Sequence, residues 1–74
     1  MNKQRRKRLD SSFELIKEAM EIVQSVLDEE QEAYDNLPEG FQNGERGEQM
    51  SDNIESLEEA ANYLEDAKSA MEDI

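Results

Sequence analysis

The side chains able to do chemistry in this chain are carboxylates and little else, for it has no histidine, cysteine or tryptophan. Ser-His-Asp and Cys-His nucleophiles, imidazole or thiolate zinc sites, and the commonest general base at neutral pH are therefore excluded. Grouped acids remain, at Asp28-Glu29-Glu30 and Glu58-Glu59. On a helix, adjacent residues diverge by about 100°, so such neighbours do not converge on one cation. The window Asp35–Arg46 places Gly40 where an EF-hand loop has its glycine. Leu37 at a ligand position, and Arg46 where the bidentate glutamate belongs, rule that loop out. Di-iron bundles require inward Glu-x-x-His motifs, which a chain without histidine cannot supply. There is no glycine-rich phosphate loop. The residues predict a non-enzyme with no catalytic residue, cofactor or metal.

The acids matter instead as charge. Lys3, Arg5, Arg6, Lys7 and Arg8 are five of the eight bases, so from Leu9 onward three bases stand against twenty acids, a balance of −17. A body so charged is repelled by nucleic acid and anionic membrane and favours a basic protein surface. Leu9–Asp35 and Glu48–Ile74 each hold nine acids in 27 positions, about 40 Å of helix at 1.5 Å per residue. Together they give one carboxylate per roughly 2.2 Å, against about 1.7 Å per phosphate charge in duplex DNA. Nucleic-acid mimicry is thus open to this chain. Direct nucleic-acid binding through Lys3–Arg8 is opposed by the acidic body, and no aromatics interleave the cluster.

The elements that must carry these charges are helices. The only proline, Pro38, and all three glycines fall in the stretch Asp28–Met50, which predicts a turn between two helical patterns. The first has heptad spacing: Leu9, Phe13, Ile16, Met20, Val23, Leu27, Glu30, Tyr34. The second continues it: Met50, Ile54, Leu57, Ala61, Leu64, Lys68, Met71. Folded antiparallel, Tyr34 meets Met50, Leu27 meets Leu57, Met20 meets Leu64 and Phe13 meets Met71 in a single register. The expected organisation is a basic tail over 1–8 and an all-α, antiparallel helical hairpin over 9–74. Its first helix covers about 11–35, the turn 36–43 and the second helix about 44–73. Ser11 to Glu14 reads as a capping box opening the first helix, while Lys, Gln and Arg, good helix formers, leave an earlier start open. Leu37 and Phe41 are expected to fold over the open end near Tyr34 and Met50, and Gly47 to permit close approach.

Five seam residues have a functional reading beside a structural one. Met20, Met50 and Met71 suit core filling more than an adaptable binding surface. Glu30, beside the turn, can reach water. Lys68, opposite Ile16, can pair with Glu65, Asp66 or Glu72 or fix the register of an assembly. A second stripe then runs beside the seam: Ser12, Leu15, Ala19, Ile22, Val26, Glu29 and Ala33 on the first helix. A weaker one holds Ala60, Tyr63, Ala67, Ala70 and Ile74 on the second. One partner helix cannot cover an apolar arc of about 160°. The pattern predicts a homodimer forming a four-helix bundle.

The turn also carries a resemblance. DEEQEAYDNLPE, followed by ERGEQM and an acidic N-I-E-S-L-E-E-A helix, resembles a group of small uncharacterised helical proteins. That group is frequent in phages and prophages of Gram-positive, gut-type bacteria. The likeness covers about Asp28 to Ala61, with Gly40 and Gly44 standing where the group's pattern has serines. It implies a helical hairpin in a mobile-element setting and brings no catalytic residue. The expected function is a protein-binding module, an acidic inhibitor blocking a basic surface of a nucleic-acid-binding host protein, as in anti-defence action. The alternative is an assembly module that self-associates or packs on a phage protein. Candidate interaction residues are Leu15, Ile22, Val26 and Tyr63 on the spare stripe, with Glu55, Glu58, Glu59 and Asp66 off the seam. No apolar run is long enough to span a membrane. MNKQRRKR is followed by LDSSFELIKE rather than a signal-peptide core, so the bacterial cytoplasm is the expected location.

Overall fold

In a computed structural model describing residues 1–74, α1 spans Lys3–Asp35, a single turn α2 spans Glu39–Gln42, and α3 spans Glu45–Glu72. The segment expected to be a basic tail is instead the first two turns of α1. Asn2 caps it, its side-chain oxygen accepting from the Arg5 amide at 2.8 Å. The capping box is not formed: Ser11 lies within the helix, and its hydroxyl donates back to the Lys7 carbonyl at 3.2 Å. Cations near a helix N-terminus oppose the dipole by about 0.3–1 kcal/mol each where exposed. That effect fades beyond the first turn, Lys, Arg and Gln are strong helix formers, and the Asn2 cap supplies a start ahead of them.

α1 ends at Asp35, just ahead of Pro38. Beyond that end the Leu37 amide donates to the Tyr34 carbonyl at 3.1 Å, and Gln42 ties the following turn back to it. The Gln42 amide donates to the carbonyls of Tyr34 and Leu37, both at 3.2 Å. The turn α2, absent from the sequence expectation, aims Gln42 at the end of α1. Adjacent residues in one helical turn diverge, so Phe41 points away. The expectation that Phe41 folds over the open seam is therefore wrong: it is 62% exposed, while Leu37 is half-buried as expected. Gly44 is the N-cap of α3, and Glu45 and Glu48 occupy its first turn, where the dipole favours acids. Gly47 is buried, and a Cβ there would overlap the Gln42 carbonyl and the Phe41 oxygen. Close approach is what this glycine provides.

α1 and α3 pack side by side into a rod of 58 × 15 × 14 Å. Burial follows the expected seam closely. From Leu9 to Tyr34 every seam residue of α1 is half-buried, as is every one on α3 except Ile54, which is buried at 9% exposure. Phe13 and Met71 line one shallow recess, and Asn53 donates to the Glu30 carboxylate at 3.4 Å, both consistent with the expected register. Lys68 settles on Glu72, 3.6 Å away. Ile54 is the only apolar side chain that the hairpin closes off from water. Two helices alone make a seam and no sealed core.

Candidate interaction surfaces

The two sides of the rod differ because of how antiparallel helices meet. With seam residues at heptad positions a and d, the spare stripe falls at c and g on both helices. The two helices are related by an approximate twofold axis normal to the plane of the hairpin. That rotation reverses chain direction but keeps the upper side uppermost, so g flanks g and e flanks e. Asp10 and Glu72, both at e, accordingly line one recess with Arg6.

One side therefore gathers both spare stripes. Leu15, Ile22, Val26 and Tyr63 lie on it, and Leu15, Ile22 and Tyr63 are each about two-thirds exposed (65%, 64% and 64%). Between them lie small residues: Ser12, Ala19, Ala33, Ala60, Ala67 and Ala70. Small side chains beside large ones let a second pair of helices approach and interdigitate. Exposed large apolar side chains gathered on one side make it a candidate interaction surface. Spacing alone shows the stripes; that they share a side follows only once the antiparallel direction is imposed.

The acids lie elsewhere. On α3 and its cap every one occupies position b, e or f, including Glu55, Glu58, Glu59 and Asp66. On α1 only Glu29, at c, and Glu30, at d, depart from that pattern. The eight residues singled out from the sequence thus form two surfaces, four apolar and four acidic, rather than a single site. All acids except Glu30 are exposed, and only Glu14 and Glu72 are in ion pairs, with Lys17 at 3.2 Å and Lys68 at 3.6 Å. Their field is left almost unneutralised within the chain. No three of them gather closely enough to hold a metal ion.

Tyr63 sits where the two surfaces meet. Its hydroxyl donates to Glu59 at 2.8 Å. That hydrogen bond, with a smaller contribution from desolvation and the charge of Asp66, raises the phenol above its ordinary value near 10. At the far end of the rod, Arg6 donates to the Ile74 carbonyl at 2.8 Å. The remaining bases of the first two turns, Lys3, Arg5, Lys7 and Arg8, are exposed and have no side-chain partner. No helix is long and apolar enough to cross a membrane. Compared with known proteins, the chain matches no family model, and no curated protein or solved structure shows significant similarity to it.

Proposed function

We propose that this chain is a non-catalytic binding module that works as a pair. Two hairpins pack through their apolar sides into a four-helix bundle, and the acidic sides left outermost engage a basic surface of a nucleic-acid-binding protein. The observation that carries this reading is the segregation of side chains. Over Ser12–Val26 and Ser56–Ile74 positions c and g hold only apolar and small residues, while the acids of α3 and most of those on α1 occupy b, e and f. The charge spacing, comparable to that of duplex DNA, supports competition with nucleic acid for the same surface. The likeness over Asp28 to Ala61 supports a phage or prophage setting, with an inhibitory role in the bacterial cytoplasm.

The test is capture from a bacterial lysate with the wild-type chain and with a variant carrying Glu55→Lys, Glu58→Lys, Glu59→Lys and Asp66→Lys. These positions lie off the seam and off the apolar side, so the variant keeps wild-type helicity. The proposal expects wild type alone to retain nucleic-acid-binding proteins, to release them as salt rises and to displace their nucleic acid. Equal capture by the reversed variant at low salt would remove the acidic-surface reading. A second reading rests on the exposure of Leu15 and Ile22: the apolar side packs on a helix of another phage protein, and the isolated chain stays monomeric.

A further inference from the structure

The paired state proposed above leaves the relative direction of the two hairpins open, and the charge along the rod decides it. Residues 1–8 carry five bases and no acid, whereas residues 28–52, around the turn, carry nine acids and one base, Arg46. The first two turns of α1 are helical and exposed, and apart from Arg6 their basic side chains find no partner in their own chain. The rod is therefore electrically polar along its length.

Two of the free bases lie on the side that meets a second hairpin. Continuing the heptad back from Phe13 puts Arg5 at g and Arg8 at c, in line with Ser12, Leu15, Ala19 and Ile22. At the other end of the same stripe stands Glu29, the one α1 acid at position c; Glu32 follows one turn on at the outward position f, and Arg46, at g on α3, is the one base on this side near the turn. We infer that the occupant of the apolar side is a second copy running in the opposite direction, so that Arg5 and Arg8 of each hairpin meet Glu29 and Glu32 of the other. The inference rests on the pairing proposed above.

The register supports it. A dyad at the centre of the apolar run Leu15–Val26 brings Arg8 level with Ala33 and Arg5 level with Asn36 of the second copy. Glu32 then lies within one residue of Arg8 along the axis, and Glu29 within four residues, about 6 Å, a span an arginine side chain covers. Four complementary contacts form, two at each end. The opposite choice, with hairpins parallel, would set the two basic ends against each other and the two acidic turns against each other. Like charges so placed repel, and the apolar contacts would be no better. Individually such exposed pairs are worth little. Their effect is on direction, because both arrangements bury the same side.

Two measurements test this on the full chain, which has no cysteine to interfere. A nitroxide on Gln4→Cys reports direction by electron-electron distance: about 50 Å across the opposed pair and under about 25 Å across a parallel one. Charge exchange reports the contacts. Arg5→Glu with Arg8→Glu, and separately Glu29→Arg with Glu32→Arg, should each weaken self-association at least about tenfold, and mixing the two variants should restore it as a heterodimer. A dimer with the short distance, or a mixture no tighter than its parts, overturns the opposed arrangement and leaves pairing intact. A chain that sediments only as a monomer overturns the pairing itself and this inference with it.

Discussion

Gly47→Ala is the substitution whose sign is most revealing, because two well-characterised effects oppose each other there. Inside a helix, alanine is favoured over glycine by about 0.8–1.0 kcal/mol, and Gly47 lies in the first turn of α3. Propensity alone predicts stabilisation. A Cβ at this position, however, would overlap the carbonyl carbon and oxygen of Gln42 and the oxygen of Phe41. Those are backbone atoms, which cannot rotate aside as a long side chain can. Overpacking of this kind costs about 1–3 kcal/mol. Moving Gln42 also strains its bonds to the Tyr34 and Leu37 carbonyls, at about 1 kcal/mol where lost. The terms sum to a net loss of about 1–3 kcal/mol. For a chain of this size, that lowers Tm by about 4–8 °C per kcal/mol. Far-UV circular dichroism in urea, at one fixed protein concentration, reads it. Gly40→Ala is the control, since nothing lies within 4 Å of a Cβ there, and it should be neutral or stabilising by up to about 1 kcal/mol. A Gly47→Ala chain as stable as wild type would show that the turn is not packed against α3 as described.

The remaining predictions concern the seam and the edge of the acidic surface. Ile54→Ala should cost about 2–5 kcal/mol in urea unfolding and exceed Leu27→Ala, because Ile54 is 9% exposed and Leu27 only half-buried; the reverse order would misplace the core. Cysteines at Leu27 and Leu57 should crosslink within one chain, and cysteines at Leu27 and Leu64 should not; the opposite outcome refutes the register. In a Tyr34→Phe background, the ultraviolet titration of Tyr63 should lie above the ordinary phenol value near 10, and Glu59→Gln should lower it. Because the folded value is raised, this contact is fully present below the ordinary value and is lost as pH rises through the folded one. A titration unmoved by Glu59→Gln would mean that the hydrogen bond is absent in solution.

The seam was legible because its signal is redundant. Fifteen positions at alternating four- and three-residue spacing point the same way, and Pro38 with three glycines marks the one place where the chain can reverse. The errors lie where two local signals competed. Ser11 to Glu14 has the capping pattern, yet the same residues serve equally well inside a helix, and Asn2 ahead of six strong helix formers supplied a better start. Phe41 is apolar, which favours the open end, but the carbonyls of Tyr34 and Leu37 accept a side-chain amide there, which Gln42 has and Phe41 lacks. Of the candidate surfaces, the residues were legible one by one, since spacing alone sets Leu15, Ile22 and Tyr63 off the seam. Their union on one side follows from the antiparallel direction of packing rather than from the spacing of either helix.

The proposed function depends above all on the apolar side being an interface between two copies of this chain. Sedimentation equilibrium of the intact protein at tens of micromolar and physiological salt tests it most directly. A paired chain has a mass twice the 8.6 kDa of one chain. Ile22→Glu should return the mass to that of one chain without loss of helicity, because Ile22 is 64% exposed within a single hairpin. Burying such a side chain contributes about 1.5–3 kcal/mol in each copy, so the substitution should weaken pairing by about a hundredfold or more. A wild-type mass of 8.6 kDa at that concentration, unchanged by Ile22→Glu, would rule pairing out.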